Sequence, residues 1–170
     1  MSQSSTAPIG ILLIGHTPLA SALMRCASHV YGSDPPAVKA VDVTPDCDPP
    51  RVLQRVKEEV KALDQGRGVL VLTDLFGATP GNIAAQLADA GRVEVLTGVN
   101  LPMLLRVLTY RDSSTLEGLI DKATSGATAG VMKIASTAPH IQAALAPSAP
   151  AESANQDGAD HALARLRDQQ

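Results

Sequence analysis

The sequence predicts an α/β domain: a doubly wound, mostly parallel sheet of order 2-1-3-4, with a short fifth edge strand and helices on both faces. Three observations carry this. The runs Ile9–Gly15 and Gly68–Thr73 are apolar without alternation, as strands covered on both faces are. Segments with helical spacing of apolar residues separate the strand-like runs, which is the pattern of βαβ units. Three strand-to-helix junctions share a polar residue followed closely by Pro: Thr17-Pro18, Thr79-Pro80 and Asn100-Leu101-Pro102.

The elements follow in order. The first strand covers about 9–15, and Thr17 caps the next helix with Pro18 at its first position. That helix carries Leu19, Leu23, Cys26, Ala27 and Val30 on one face. Val38–Val43 is the second strand, and Pro45, Pro49 and Pro50 mark the loop behind it. Val52, Val56, Val60 and Leu63 line the second helix, which Gly66 and Gly68 end. The third strand is Gly68–Thr73. Thr79 caps a third helix with Ile83, Ala84, Leu87 and Ala88 inward. Arg92–Thr97 is the fourth strand. Asn100 caps a helix with Leu101, Leu104, Leu105 and Leu108, and another helix covers about 114–125. Gly130–Ala135 reads as the short fifth strand. The domain thus spans 9–135, after an N-terminal extension over 1–8. Residues 136–170, rich in Ala, Pro and Ser at their start, read as a flexible tail.

Composition narrows the function. Among 170 residues, 45% are hydrophobic, enough for a sizeable core. Phe76, Tyr31 and Tyr110 are the whole aromatic complement, so no stacking surface for nucleic acid or sugars is expected. The net charge is −3 and the basic residues are scattered, which also argues against nucleic acid. No apolar run approaches the roughly 20 residues of a membrane span. Residues 1–8 lack a signal-peptide pattern. Cys26 and Cys47 have no metal-binding spacing: one is read as a packed helix thiol and the other as a loop thiol. A cytoplasmic protein without metal, cofactor or membrane insertion is expected.

His16 is the chemically informative residue. It stands where an apolar strand gives way to a helix, on the carboxyl edge of the sheet and beside the positive end of a helix. Asp74 follows the third strand directly and lies on the same edge. Gly77 and Ala78 let backbone run close to a ligand, and Thr79 caps the helix behind them. A turn of such small residues offers N–H groups to an anion. With the order 2-1-3-4, His16, Asp74 and Asn100 border one crevice at the topological switch point.

Ile-Gly-His16-Thr-Pro-Leu-Ala, Thr-Asp74-Leu-Phe-Gly-Ala-Thr-Pro-Gly-Asn82 and Gly-Val-Asn100-Leu-Pro-Met together resemble the mannose-family enzyme IIA components of the bacterial phosphoenolpyruvate-dependent sugar phosphotransferase system. The resemblance covers about 8–135. It implies a homodimer in which His16 accepts a phosphoryl group from the histidine-containing phosphocarrier protein and passes it to a IIB component. It places the phosphoryl group on Nε2, with Nδ1–H directed to Asp74. Two details depart from the family: Gly15-His16-Thr17 replaces the common Thr-His-Gly, and Gly77-Ala78 replaces Gly-Gly. Some relatives continue through an Ala/Pro-rich linker into a IIB domain. Here a separate IIB partner is expected.

The chemistry of the groups agrees with that assignment. A neutral imidazole has one lone-pair nitrogen and one N–H. A carboxylate holding the N–H fixes the tautomer and leaves the other nitrogen free to attack phosphorus. Thr79 and the amides of Gly77–Thr79 are candidates for holding the phosphoryl oxygens. Phe76 either docks a protein partner or tucks into the core, and Asn100 and Pro102 are further candidates for partner contact. Two other readings use the same fold. One is a regulatory module switched by phosphorylation of His16. The other is the phosphotransfer subunit of a dihydroxyacetone kinase, whose relatives tend to carry Asp-Leu-Gly-Ser-Ala after the third strand.

Overall fold

The computed structural model describes residues 7–134. The N-terminal extension up to residue 6, and the predicted tail with His140 and His161, lie outside the described residues. Among the described residues, strands and helices alternate up to α4, and α5 follows it directly: β1 (Gly10–His16), α1 (Leu19–Tyr31), β2 (Val38–Val43), α2 (Pro49–Leu63), β3 (Val69–Thr73), α3 (Thr79–Ala85), β4 (Val93–Leu96), α4 (Leu101–Tyr110) and α5 (Leu116–Ala129). The four strands form one parallel sheet in the order β2-β1-β3-β4, as the sequence predicts.

Side chains alternate across a strand, and this divides the central strands between two cores. Ile11, Leu13, Leu70 and Leu72 face one way and join Ala20, Leu104, Val107 and Leu119. Leu12, Ile14, Val69 and Val71 face the other way and join Val56, Ile83 and Ala84. α1, α4 and α5 therefore cover one face, and α2 and α3 the other. This is why β1 and β3 read as continuous apolar runs. Each such fully buried aliphatic side chain stabilises the fold by about 1.5–3 kcal/mol relative to exposure.

The register positions the site. Ile14 pairs with Thr73 across β1 and β3, so the next residue pair along is Gly15 and Asp74. The chain leaves β1 for α1 on one face and leaves β3 for α3 on the other. A crevice opens between them at the carboxyl edge.

Several boundaries differ from the sequence prediction. His16 is the last residue of β1 and not a helix-entry residue. Pro18 occupies the cap position of α1, after a cis Thr17–Pro18 peptide, and neither it nor Thr17 caps the helix through a side chain. Asp42 of β2 does so instead, accepting the amide of Ser21 at 3.1 Å. Thr79 is the first residue of α3 and not its cap; Ala78 stands at the cap. Pro49 and Pro50 belong to the first turn of α2 and not to the loop. The buried face of α1 is Ala20, Leu23 and Ala27, while Leu19, Cys26 and Val30 are exposed. Leu23 and Ala27 are thus inward as predicted, and Ala20 joins them in place of the larger Leu19 and Val30. α3 stops at Ala85, leaving Ala88 exposed. α5 runs to Ala129, past the predicted end, because α4 packs along it and Asn100 Nδ2 donates to the carbonyl of Ala127.

The fifth strand does not form in residues 130–134, the described part of the predicted segment. Val131 and Met132 are exposed there. A short apolar run carries no period that separates a strand from an extended chain without a partner.

Candidate functional site

The site is built on the backbone of β1. His16 ends the strand with its side chain 51% exposed, while the Asp74 side chain is 9% exposed. One carboxylate oxygen, Asp74 Oδ2, accepts both the backbone N–H of His16 and lies against its ring Nδ1, each at 2.8 Å. The other oxygen, Oδ1, accepts the amide of Leu75 at 2.8 Å. Burial raises the pKa of Asp74, but the His16 amide, the His16 ring and the Leu75 amide outweigh it, and the group lies below its ordinary value. An ionised carboxylate only accepts hydrogen bonds. Nδ1 therefore carries the proton when the ring is neutral, and Nε2 keeps the lone pair.

Gly15 makes this contact possible. A Cβ there would stand 3.3 Å from Asp74 Oδ2 and 3.5 Å from its Cγ, displacing the carboxylate. Gly81 has the same role for the neighbouring loop, since a Cβ would meet the Leu75 carbonyl oxygen at 2.6 Å. The loop from Asp74 to Ala78 consequently folds back over the first turn of α3. Asn82 holds it there, donating from Nδ2 to the Gly77 carbonyl. Gly77 has a left-handed φ of 81° with nothing near its Cβ position. Its amide and that of Thr79 donate to no acceptor among the described residues. Leu75 is 59% and Phe76 87% exposed, so of the two positions open to Phe76 it takes the surface one.

The loop after β4 reaches the site through its backbone. Gly98 N donates to Asp74 O and Val99 N to Thr73 O. Asn100 does not bring its side chain to His16. Its Oδ1 accepts the Met103 amide at 2.9 Å, capping α4 as predicted, and its Nδ2 turns to Ala127. Pro102 lies beside Gly130 at the end of α5. The structure therefore brings His16, Asp74 and the Gly77–Thr79 loop to one edge, while Asn100 and Pro102 secure the α4–α5 corner. Sequence reasoning missed Asp42, which anchors the N-terminus of α1 next to His16. Its signal was the one acid within the run Val38–Val43. It also missed Thr115, whose hydroxyl caps α5 at Gly118 N.

This is a doubly wound α/β domain with a histidine–carboxylate pair at its topological switch point. The chain belongs to the IIA components of the sugar phosphotransferase system: the family model described as "PTS system fructose IIA component" matches residues 10–124. The fructose-specific EIIA component of Bacillus subtilis (strain 168) is 30% identical over 114 residues, 66% of this chain and 77% of that protein. The mannose-specific EIIAB component of Escherichia coli (strain K12) is 31% identical over 148 residues, 86% of this chain. The chain spans 45% of the length of that relative. The crystal structure of an EIIA component from Streptococcus agalactiae has the same fold, with a TM-score of 0.68 at 23% identity over 75% of this chain and 98% of that one. No helix among the described residues is long and apolar enough to cross a membrane.

Proposed function

We propose that this IIA component is a cytoplasmic phosphohistidine carrier. His16 takes a phosphoryl group from the histidine-containing phosphocarrier protein and passes it to a IIB component of a sugar phosphotransferase system. The observation that carries the reading is the 2.8 Å contact of Asp74 Oδ2 with His16 Nδ1, on a ring left half exposed. That contact frees Nε2 for in-line attack. The donor's N–P bond breaks as the Nε2–P bond forms, and the Nδ1 proton stays with the ring throughout. The same hydrogen bond keeps the phosphorylated ring a good leaving group, so onward transfer reverses the chemistry with a new acceptor. The Gly77 and Thr79 amides and the Thr79 hydroxyl hold the equatorial oxygens. Leu75 and Phe76 supply an exposed apolar surface beside the ring for the protein partners. A homodimer fits the exposed Val131 and Met132 and the place of β4 as the last strand of the sheet, whose outer side meets an isolated bridge from Asp89 at Val93.

The test is phosphoryl incorporation from phosphoenolpyruvate, with enzyme I and the phosphocarrier protein supplied. Wild type should take up acid-labile, alkali-stable label, and folded His16→Ala should take up none. Label on His16→Ala at the wild-type level would refute the assignment. Addition of a cognate IIB component should then discharge the label. Label that no IIB component removes would instead favour a regulatory module switched at the same residue.

A further inference from the structure

Among the described residues, three buried side-chain polar atoms make no hydrogen bond. One is the hydroxyl of Thr73 in β3. The other two, Nε and Nη1, belong to a single guanidinium, that of Arg111 just after α4. Arg111 is 4% exposed. Its nearest carboxylate, that of Asp112, stands 4.0 Å from Nε with its own side chain 71% exposed, outside hydrogen-bonding range. Burial lowers the pKa of the guanidinium, with Asp112 and Tyr31 opposing, but arginine keeps its charge in proteins. A buried charge with unmet donors is costly and calls for an explanation.

The neighbouring Arg67 sharpens the contrast. Its guanidinium donates to the carbonyls of Ala7, Arg111, Asp112 and Ser114. These carbonyls turn to Arg67, and no acceptor reaches Nε or Nη1 of Arg111. Arg111 lines a cleft of about 530 Å³ at the amino edge of the sheet. Pro8, Pro35, Pro36 and Leu108 form apolar walls, and Ser33 and Asp112 add polar groups. By strand geometry this cleft lies roughly 25 Å from His16, the distance from Pro8 along β1.

We propose that Arg111 anchors a second binding site, which takes a small organic anion through one phosphate or carboxylate group. The planar guanidinium fork matches either head group with two parallel N–H···O bonds. A single cation, with Asp112 on the same lining, suits one anionic head and disfavours polyphosphates. The apolar walls accept a short carbon body, and Asp112 and Ser33 meet a hydroxyl or amine on it. The cleft is of metabolite size.

The test follows the Arg111 Nε–Hε resonance by NMR in the full chain, titrated separately with inorganic phosphate and with pyruvate. A saturable shift is expected, accompanied by a higher melting temperature. A response to phosphate alone assigns a phosphate ester, and a response to pyruvate alone assigns a carboxylic acid. A response to both assigns a site for either head group. The shift should survive in His16→Ala, which separates it from anion binding at the phosphorylation site. In Arg111→Met, which has no guanidinium resonance to follow, the anion-dependent rise in melting temperature should disappear. Because that buried residue also supports the fold, Ser33→Asp is the second variant. Ser33 is exposed, and a carboxylate there should weaken the anion at least tenfold by like-charge repulsion. No shift and no thermal stabilisation with either anion up to about 20 mM, beyond the millimolar range of a weak site, would overturn the proposal. So would equal affinity in Ser33→Asp and wild type.

Discussion

At the scale of single residues, the chemistry rests on one carboxylate serving three donors. Asp74 is held below its ordinary pKa by the hydrogen bonds it accepts, against the opposing effect of burial. A depressed carboxylate contributes stability that is fully present above its unfolded value of about 3.9 and is lost as pH falls through the folded value. Asp74 therefore stabilises the site unchanged across neutral pH, and this contribution falls away progressively as pH drops below about 4. Asp74→Asn should flatten that acid limb in urea midpoints measured against pH. It should also slow phosphoryl transfer roughly 10²–10⁴-fold, because an amide can hold the wrong tautomer. An unchanged rate would remove Asp74 from the mechanism. Gly15→Ala tests the same contact from behind. Its Cβ presses on Asp74 at 3.3 Å, so transfer should fall about tenfold through misplacement of the carboxylate. Circular dichroism should remain that of wild type.

At the scale of elements, the β3–α3 loop joins the chemistry to a surface. Phe76 is 87% exposed, and an aromatic side chain in water two residues beyond Asp74 is suited to a protein partner of the proposed carrier. Phe76→Ser should raise the KM for the phosphocarrier protein about tenfold or more, with kcat nearly unchanged. A fall in kcat at constant KM would place Phe76 in the transfer step instead. This loop also marks what was legible in the sequence. β1 and β3 were legible because full burial on two faces requires unbroken apolar runs, and the order of motifs placed His16 and Asp74 at the ends of those strands. The caps were less so. Thr17 and Thr79 carry good capping side chains, but α1 and α3 begin two residues and no residues after them, respectively. Asp42, remote in sequence, does the work predicted for Thr17. The inward face of α1 was read in part: Leu23 and Ala27 are buried as expected, whereas size suggested Leu19 and Val30 and close packing on the sheet took Ala20. Nothing local in Gly130–Ile134 says whether an edge is available to pair with, so the fifth strand was beyond reach. The unmet donors of Arg111 depend on which acceptors the folded chain brings near its guanidinium, a relation no sequence spacing encodes.

At the scale of the whole molecule, stability and chemistry are carried by different residues. The two cores lie on opposite faces of the sheet and hold the fully buried side chains. The His16 ring stands at the sheet's carboxyl edge, half exposed and outside both cores. The edge is positioned by backbone register, so it tolerates loss of core packing as long as the sheet persists. Leu104, fully buried in the middle of α4, has no contact with His16 or Asp74 among the hydrogen bonds that build the site. Leu104→Ala should cost about 2–5 kcal/mol through lost transfer energy and the cavity left behind, read as a lower urea midpoint. Its initial rate of phosphoryl uptake, normalised to the folded fraction, should equal that of wild type. His16→Ala should behave in the opposite way, with a wild-type midpoint and no uptake. If Leu104→Ala lost transfer while still folded, then the α4 face would communicate with the switch point. The link would then run through the backbone hydrogen bonds of Gly98 and Val99 to Asp74 and Thr73, because those bonds join the loop preceding α4 to the end of β3.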